Sequence, residues 1–299
     1  MLVETLARLA PPLRFLRRPS DGRSDAQVRE HYLVERELAD RLRGAPDAER
    51  LRLYAQVYDE LFRRLPEHPQ LRARSEPEAR HRRARSVEWQ FAFVREALTL
   101  HSRFLEVGAG DCALARRVAG HVERVYAVDV SEHIMRGGRR LPNLVPVLSD
   151  GVSIPVPTGV IDVAFSNQLI EHLHPRDALG QLREVHRSLA PGGRYLCITP
   201  NRLYGPRDVS AHFDEVATGL HLKEYSADEL RALLREAGFS RVHFYAGARG
   251  AYCRVPYALV RMLESFLEAL PYRLRRPLAD NPPARALLGL RVAAIKRAR

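Results

Sequence analysis

The chain has 299 residues, of which 45% are hydrophobic and 28% charged, a balance that excludes a disordered polymer. This length accommodates one large or two small domains with an ample core. The formal net charge is +12, and residues 251–299 hold ten basic and only three acidic side chains. A basic segment is typical of contact with anionic lipid, nucleic acid or an acidic substrate, although arginines also serve simply as solvated surface cations.

Cysteine spacing and hydropathy indicate where the protein works. The three cysteines, Cys112, Cys197 and Cys253, lack the spacing of a disulfide framework or a zinc site. No apolar run approaches the roughly 18 residues of a membrane span. Residues 1–18 do not resemble a signal peptide, because prolines interrupt the apolar part and the arginines follow it. We therefore expect a cytoplasmic protein without a metal.

Helical periodicity dominates the first hundred residues. Residues 1–20 are expected to be loosely ordered, ending at Pro19. Asp47 is a plausible N-cap, with Arg50 in the N3 place. Predicted helices cover 25–42, 47–66 and 87–100, with a loop or exposed helix over 67–85. The sequence thus predicts a helical segment or lid, residues 1–100, on an α/β domain, residues 101–299.

The stretch Arg103–Ala113 combines a short apolar run with a glycine pair, Gly108 and Gly110, and a helix start. Glycines there allow a sharp turn and close approach to a ligand. The spacing Gly108-x-Gly110-x-x-Ala113 fits a dinucleotide fingerprint, which is weak by itself because glycine turns are common.

Acidic residues around this turn indicate what kind of ligand it would take. Glu106 precedes Gly108, Asp111 follows Gly110, and Asp129 ends the next apolar run, 19 residues past Gly110. Carboxylates would repel a diphosphate, so they favour a positively charged ligand such as S-adenosylmethionine. Capping of the following helix is an equal alternative for Asp111, and Asp162, early in its strand, is interpreted as structural.

Strands and helices alternate along the rest of the chain, which indicates a doubly wound parallel sheet. A capping box, Ser226 with Glu229, begins one helix. Strands are predicted over 103–107, 125–128, 144–148, 160–165, 194–199 and 241–245, and helices over 131–141, 175–189, 226–237 and 256–270. The segment 200–225 is too long for an ordinary connection and is interpreted as the acceptor loop.

Six segments in this order resemble the class I S-adenosylmethionine-dependent methyltransferases that act on small molecules. They are Leu105–Gly110, Ala127–Ser131, Leu148–Asp150, Ile161–Ser166, Leu182–Gly193 and Ala237–Phe239. The resemblance covers roughly residues 100–246. It implies an α/β fold: a Rossmann-like, seven-stranded, mostly parallel sheet whose antiparallel last strand returns at 287–297.

The resemblance also implies roles for individual residues around the cofactor, whose product would be S-adenosylhomocysteine. The methionine moiety would contact Gly108 and Gly110, with Glu106 near its ammonium. The ribose would contact Asp129, adenine would contact Val130 and Asp150, and Ser166, Asn167 and Gln168 would line the sulfonium. Ala109 and Gly151 are further cofactor-binding candidates beside these residues. Tyr58 and Trp89 are candidate wall residues or plain core residues.

Methylation of a hydroxyl needs a base, and histidines after strands four and five are candidates. His172 is the first choice, with Glu171 beside it, and His212 is the second; His221 shares the loop of His212. Surface or capping roles are the alternative for each histidine. The expected reaction is O-methylation of a small-molecule acceptor.

Other readings stay open for the substrate and the C-terminal region. Nucleic acid is a weaker alternative, because no basic and aromatic platform and no Asn/Asp-Pro-Pro-aromatic motif is evident. A non-catalytic cofactor-binding module and a nicotinamide oxidoreductase are further alternatives. Residues 251–280 are interpreted as a helical insertion that packs on the core or covers the acceptor site. Contact with a membrane or a lipid-linked substrate through its arginines is the alternative. The oligomeric state is left open.

Overall fold

The structure is a computed structural model that describes residues 22–69, 71, 77–131, 135 and 141–298. The predictions for residues 1–20 and for most of the helix over 131–141 lie outside these ranges. An eight-stranded sheet is the centre of the described structure, with the strand order β3-β2-β1-β4-β5-β8-β6-β7. The strands are β1 (Arg103–Val107), β2 (Arg124–Asp129), β3 (Leu144–Leu148), β4 (Ile161–Asn167), β5 (Leu189–Thr199), β6 (Arg241–Ala248), β7 (Ala251–Val255) and β8 (Leu290–Ile295).

The direction of the strands confirms the predicted fold class. β1 pairs in parallel with β2 and β4, β2 with β3, and β4 with β5. β8 lies antiparallel between β5 and β6. The strand order reverses between β1 and β4, and ligands of open α/β sheets bind at such a switch point, outside the carboxyl ends of the strands.

Nine α-helices surround the sheet within the described ranges. They are α1 (Asp25–Gly44), α2 (Asp47–Arg64), α3 (Pro77–Arg95), α4 (Ala113–Ala119), α5 (Pro175–Ser188), α6 (Ala227–Glu236), α7 (Tyr257–Glu268), α8 (Tyr272–Ala279) and α9 (Pro282–Leu288). Ser226 and Glu229 form the predicted capping box of α6. Single 3₁₀ turns follow β4, at Ile170–His172, and β5, at Val209–His212.

Side chains of β1 alternate between two cores on the two faces of the sheet. Leu105 and Val107 belong to a core shared with α1, α2, α5 and α6, whereas Phe104 packs with α3 and α4. Because strand side chains alternate, Glu106 points to the same side as Phe104, beneath α4. The strand therefore carries an acidic side chain on a face that is otherwise apolar.

Several boundaries differ from the sequence-based prediction. The sheet has eight strands rather than seven, because residues 251–255, assigned to a helical insertion, form β7. β7 pairs only with β6 through a tight turn at Arg249-Gly250, whose φ values are 53° and 88°. An edge strand with exposed alternate residues gives little hydrophobic signal. The division of the chain at residue 100 stays a prediction.

The second and third helices also begin elsewhere than predicted. Pro46 rather than Asp47 is the N-cap of α2. α3 begins at Pro77, well before the predicted Val87, and ends at Arg95, where the chain tightens into a turn. The Arg-rich first half of α3 is exposed, so it has helix-forming residues but no apolar stripe to reveal it.

A buried ion pair joins the N-terminal helices to the sheet domain. Arg50 of α2 is fully buried, and its Nε and Nη2 atoms lie 2.5 and 2.8 Å from the two carboxylate oxygens of Asp177 in α5. The Tyr54 hydroxyl donates to the same carboxylate at 2.7 Å. α2 is thereby fixed over the carboxyl end of the sheet. Among the described residues, no helix has both the length and the apolarity that crossing a bilayer requires.

Replacing Arg50 by Ala should lower the free energy of unfolding by about 3–5 kcal/mol, because it leaves the buried Asp177 carboxylate without its cation. Urea unfolding would measure this loss. Arg52→Ala is the matched control: Arg52 is exposed on the same helix, so its change should stay within about 0.5 kcal/mol. Equal stability of the two variants would show that the ion pair does not anchor α2.

Candidate functional site

The glycine turn at the end of β1 is held by hydrogen bonds to the end of β2. Gly108 and Gly110 have φ values of 73° and 53°, a region that L-residues rarely adopt. The amides of Gly108 and Ala109 donate to the Val128 carbonyl at 2.9 and 3.0 Å. The Gly110 amide donates to Asp129 Oδ2 at 2.8 Å. The turn and the predicted ribose-binding carboxylate thus form one unit.

Glu106 is buried beneath this turn and is only partly satisfied. Its side chain is 6% exposed, and its Oε2 atom has no hydrogen-bond partner. Burial, followed by the nearby carboxylates of Asp111 and Asp129, raises the pKa of Glu106 to about 8. Burial and the two nearby carboxylates disfavour ionisation of Glu106. A bound cation would stabilise its ionised form.

Cys112 rather than Asp111 is the N-cap of α4, and Asp111 lies one residue before it. Its Oδ1 atom accepts the amide of Ala113, the first residue of α4, at 3.2 Å. The same carboxylate forms an ion pair with Arg83 of α3. Asp111 is therefore neutralised within the protein, whereas Glu106 has no such partner.

A cavity of about 60 Å³ opens at the carboxyl ends of β1 and β2. Four residues of its lining were predicted from the sequence to contact the cofactor: Gly108, Asp129, Val130 and Gly151. The rest of the lining is Tyr54, Tyr58, Val107, Val128, Ser149, Leu169, His172, Leu173 and Gln181. Ligand sites usually measure about 300–1,000 Å³, so the cavity is closed in this conformation.

Two side chains account for the closure. A Cβ added at Gly108 would lie 3.0 Å from Leu169, and one added at Gly151 would lie 2.9 Å from Tyr54. Leu169 comes from the turn after β4 and Tyr54 from α2. The two glycines therefore form a cradle that these side chains now fill. Tyr58 is a wall residue as predicted, whereas Trp89 packs against Gly250.

The carboxylate of Asp150, the predicted adenine contact, accepts hydrogen bonds from its own turn. Its Oδ1 atom accepts the amides of Val152 and Ser153 at 2.8 and 2.6 Å, and its Oδ2 atom accepts the Ser153 hydroxyl at 2.8 Å. Burial would raise the pKa of Asp150, but these hydrogen bonds outweigh it and lower the pKa. The carboxylate is thus ionised and positions the loop that carries Gly151.

The residues predicted to face the sulfonium lie elsewhere than the cavity. Ser166 is fully buried, and its hydroxyl is 2.6 Å from the Tyr195 hydroxyl inside the sheet. Asn167 is half-buried and Gln168 is exposed, with φ 52°. Neither lines the cavity, and Leu169 and His172 occupy the place expected for them. The sequence predicts where a strand ends, but it does not predict which residues of the following turn line the site.

His172, the first predicted base, lines the cavity. Its Nδ1 donates to the Leu220 carbonyl at 3.0 Å, which leaves Nε2 as the basic nitrogen of the neutral ring. Its ring meets that of His221 edge-on, with centroids 4.7 Å apart. Burial and then the charge of His221 lower the pKa of His172 to about 3. The imidazole is therefore neutral, and burial disfavours its protonated form in this closed conformation.

Charged partners surround His172 on the side away from the cavity. Glu171 is fully buried; its Oε2 accepts the Thr199 hydroxyl at 2.8 Å and its Oε1 has no partner. Burial raises the pKa of Glu171 to about 7. His221 lies 2.7 Å from Glu224, and although burial opposes its charge, the surrounding carboxylates raise its pKa to about 9. An acid–base cluster therefore lies behind the cavity wall.

The second predicted base, His212, is placed differently. It ends the 3₁₀ turn Val209–His212, with its ring centroid 6.4 Å from that of Phe213, and it does not line the cavity. His221 from the same loop is the histidine that reaches His172. The spacing of His212 and His221 in the sequence gave no signal to choose between them.

Two groups of described residues could hold a metal ion by geometry, although the sequence predicted no metal site. One is Glu171, His172 and His221, and the other is His31, Glu35 and His68; within each group the ligand atoms lie within 4.8 Å of one another. In the second group, Glu35 is 2.8 Å from His31, whose other ring nitrogen is 2.5 Å from Arg23. That group forms its own hydrogen-bonded network between α1 and the neighbouring loop.

A larger depression, of about 550 Å³, lies at the other end of the strands from this cavity. Its lining consists of Gly192, Ser240, Arg241, Ile295, Lys296, Arg297 and Ala298. These residues surround the amino ends of the parallel strands, where no ligand site of an open α/β sheet is expected. We therefore assign the functional site to the smaller cavity, which contains the acidic and histidine groups.

Comparisons with known proteins find methyltransferases among the relatives of this chain. A protein of Mycobacterium tuberculosis named "Probable S-adenosylmethionine-dependent methyltransferase Rv3030" is 34% identical over 136 residues, which are 45% of this chain and 47% of that protein. The "S-adenosyl-L-methionine-dependent Diels-Alderase iccD" of Talaromyces variabilis is 30% identical over 161 residues, 48% of this chain and 54% of that protein. The chain spans about half the length of the curated relatives it matches.

A solved structure has a similar fold. It comes from the complex between the Haloferax volcanii Trm112 methyltransferase activator and a methyltransferase, with a TM-score of 0.52 and 17% identity over 71% of this chain and 89% of that one. At this identity the similarity concerns the fold alone.

The family model described as a methyltransferase domain matches residues 49–243, about two thirds of the chain. The match includes α2, the glycine turn, Asp129 and the cluster around His172, so it covers the whole site described above. The resemblance to class I S-adenosylmethionine-dependent methyltransferases is thereby confirmed. The chain belongs to the methyltransferase domain family.

Proposed function

We propose that this protein transfers the methyl group of S-adenosylmethionine to a hydroxyl oxygen of a small-molecule acceptor. The observation that carries the proposal is the pair of acidic side chains, Glu106 and Asp129, set around a glycine turn, with the buried Glu106 Oε2 left without a hydrogen-bond partner. Such a site repels phosphates and stabilises a cationic nucleoside. Family membership supports the same donor.

The residues present fit this cofactor. Glu106 would pair with its ammonium, Asp129 would accept from the ribose hydroxyls, and the Gly108 cradle would admit its backbone. When bound, the cofactor supplies a methyl group activated by a positive sulfur. Tyr54 and Leu169 fill part of this space, so we infer that α2 and the turn after β4 move apart on binding.

The histidine cluster supplies the base that an alcohol or phenol needs. His172 Nε2 would accept the hydroxyl proton as the oxygen attacks the methyl carbon. The carboxylate of Glu171 would then stabilise the imidazolium that forms, since the ligand atoms of the two residues lie within 4.8 Å. His172 is thus proposed as the catalytic base and Glu171 as a positioning residue.

The enclosure of the site favours a small acceptor over a polymer. α2 covers the cavity on one side, and the loop 200–225 closes on α1 through Arg43, which donates to the carbonyls of Thr218 and Gly219 at 3.1 Å. The exposed thiol of Cys253 fits the reducing cytoplasm that the sequence predicts. The acceptor class remains part of this proposal.

Two measurements test the proposed function. Calorimetry should detect binding of S-adenosylhomocysteine and none of NADH. Incubation with methyl-labelled S-adenosylmethionine and a library of phenols and alcohols should then yield labelled ether products. A relative carries the name of a Diels-Alderase, so transfer of the label itself, rather than acceptor consumption, is the decisive readout. Binding without any labelled product would leave a cofactor-binding module instead.

Asp129→Asn should weaken S-adenosylhomocysteine binding by about tenfold to a hundredfold, because an amide offers one acceptor oxygen where the carboxylate offers two. Isothermal calorimetry would measure it. Asp162→Asn is the matched control. Asp162 accepts the Arg103 amide at 2.8 Å near the amino end of β4, away from the cavity, so cofactor affinity should not change. A similar loss in both variants would remove Asp129 from the ligand site.

Cofactor binding should release a proton near pH 6–7, because Glu106 is protonated below its pKa of about 8 and ionises against the ammonium. Affinity should therefore rise by up to about tenfold per pH unit from pH 5.5 to 7. Calorimetry in two buffers of different ionisation enthalpy would count the protons. Glu106→Gln should abolish both effects, and a pH-independent affinity in the unmodified protein would contradict the assignment.

His172→Gln should reduce kcat by about 10²–10⁴-fold while cofactor affinity changes little. His212→Gln should leave kcat within about twofold; the opposite ranking would favour the second predicted base. In the unmodified enzyme, kcat should fall as the pH drops below about 7, where Glu171 becomes protonated. Glu171→Gln should be slower and should lack this fall. Steady-state rates across pH would decide.

A further inference from the structure

Large hydrophobic side chains are exposed together on α7 and α8. Of nine such residues in the described part of the chain, five lie there, 40–66% exposed: Leu259, Met262, Phe266, Leu274 and Leu278. On α7 they recur at steps of three and four, so they form one stripe. The opposite side of α7 is buried through Val260 and Leu267. We call this exposed stripe, with Leu274 and Leu278, the α7–α8 face.

The α7–α8 face contains almost no charge. Thirteen residues between 257 and 283 are exposed, and only one of them, Arg273, is charged. The others are Ala258, Leu259, Met262, Ser265, Phe266, Ala269, Pro271, Leu274, Pro277, Leu278, Pro282 and Pro283. An apolar surface of this extent is unusual for a protein that meets only water.

Acidic residues of this region are turned inward and neutralised. Glu264 is fully buried, and its carboxylate accepts from Asn201 Nδ2 at 2.6 Å and from Arg261 Nη1 at 3.2 Å. Glu268 is 2.5 Å from Arg202. Asp280 faces Arg207 and Arg285 at 3.4 and 3.5 Å. None of the three carboxylates belongs to the exposed face.

Two arginines lie beside the face. Arg273 is exposed, whereas Arg275 is half-buried: its guanidinium lies 5.6 Å from the centroid of the Tyr272 ring, and its buried Nε atom has no hydrogen-bond partner. No described carboxylate lies within ion-pair distance of either side chain. The face therefore combines apolar side chains with positive charge at its edge.

We propose that the α7–α8 face is a docking surface for an anionic lipid bilayer. Leu, Met and Phe side chains on one side of a helix, with arginines alongside, are what an interfacial helix uses to bind anionic membranes. Association with a second copy of this chain would instead bring Arg273 and Arg275 of both copies together. Charge complementarity therefore selects the bilayer.

The other side of these helices packs on the segment predicted as the acceptor loop. Leu203 and Tyr204 form a small core with Leu267, Ala279 and Leu288. Membrane contact would therefore hold the loop 200–225 one helix thickness from the lipid surface. The docking proposal does not depend on methyl transfer, because its test measures only binding to lipid.

Co-sedimentation of the full chain with vesicles tests the proposal. Vesicles of phosphatidylcholine with one third phosphatidylglycerol should bind the protein at least tenfold more tightly than pure phosphatidylcholine vesicles. High salt should weaken this preference. The double variant Met262→Gln, Phe266→Gln should bind the anionic vesicles at least tenfold less, and Arg273→Gln with Arg275→Gln should remove the preference for anionic lipid.

Leu100→Gln is the matched control, because Leu100 is 74% exposed in a turn outside the α7–α8 face. It should bind vesicles as the unmodified chain does, and all variants should keep the same urea unfolding midpoint. Equal sedimentation of the double variant and the control would overturn the proposal. So would a dimer, seen by sedimentation velocity, that the double variant converts to a monomer, since a second copy would then cover the face.

Discussion

The burial of a carboxyl group beneath the glycine turn is the constraint on which the site depends. Glu106 lies on the face of β1 that carries Phe104, in a core that is otherwise apolar, and one of its oxygens has no partner. Leaving such a group unsatisfied costs about 1–3 kcal/mol, a cost that a bound cation would remove. Asp129, held by the turn amides, adds a second negative group at the same switch point. The chain therefore keeps a locally unfavourable arrangement at the place proposed for the cofactor.

The cover of this site is built by the helices that precede the sheet domain. Arg50 and Tyr54 of α2 converge on Asp177, and the next turn of the same helix places Tyr58 in the cavity wall. A single buried ion pair thus positions both the closing side chain and the wall residue. The family match begins at residue 49, so it includes most of α2. Opening the cavity requires a change in how α2 packs, since its tyrosine fills the space above Gly151.

Charge is distributed differently on the two functional regions. Around the cavity, acidic and histidine groups are buried. Burial raises the pKa of Glu106 to about 8 and that of Glu171 to about 7, and it lowers the pKa of His172 to about 3. On the α7–α8 face, carboxylates are withdrawn into the protein and arginines remain at the surface. One segment, residues 200–225, contacts both regions: His221 reaches the histidine cluster, and Leu203 packs under α7 and α8. The loop therefore lies between the cavity and the α7–α8 face.

Local pattern determined much of this protein from the sequence alone. Apolar runs, the glycine pair, the capping box of α6 and the spacing of Asp129 predicted the strands of the parallel sheet, the turn and two residues of the cavity wall, Gly108 and Asp129, because each depends on residues nearby in the chain. The family resemblance added Val130 and Gly151. Only the tertiary structure decided which distant segments contact these local elements. β7 is held by its pairing with β6, Leu169 and Tyr54 close the glycine cradle from two distant segments, and His221 rather than His212 meets His172. These contacts join residues far apart in the chain, so no local periodicity or spacing could reveal them.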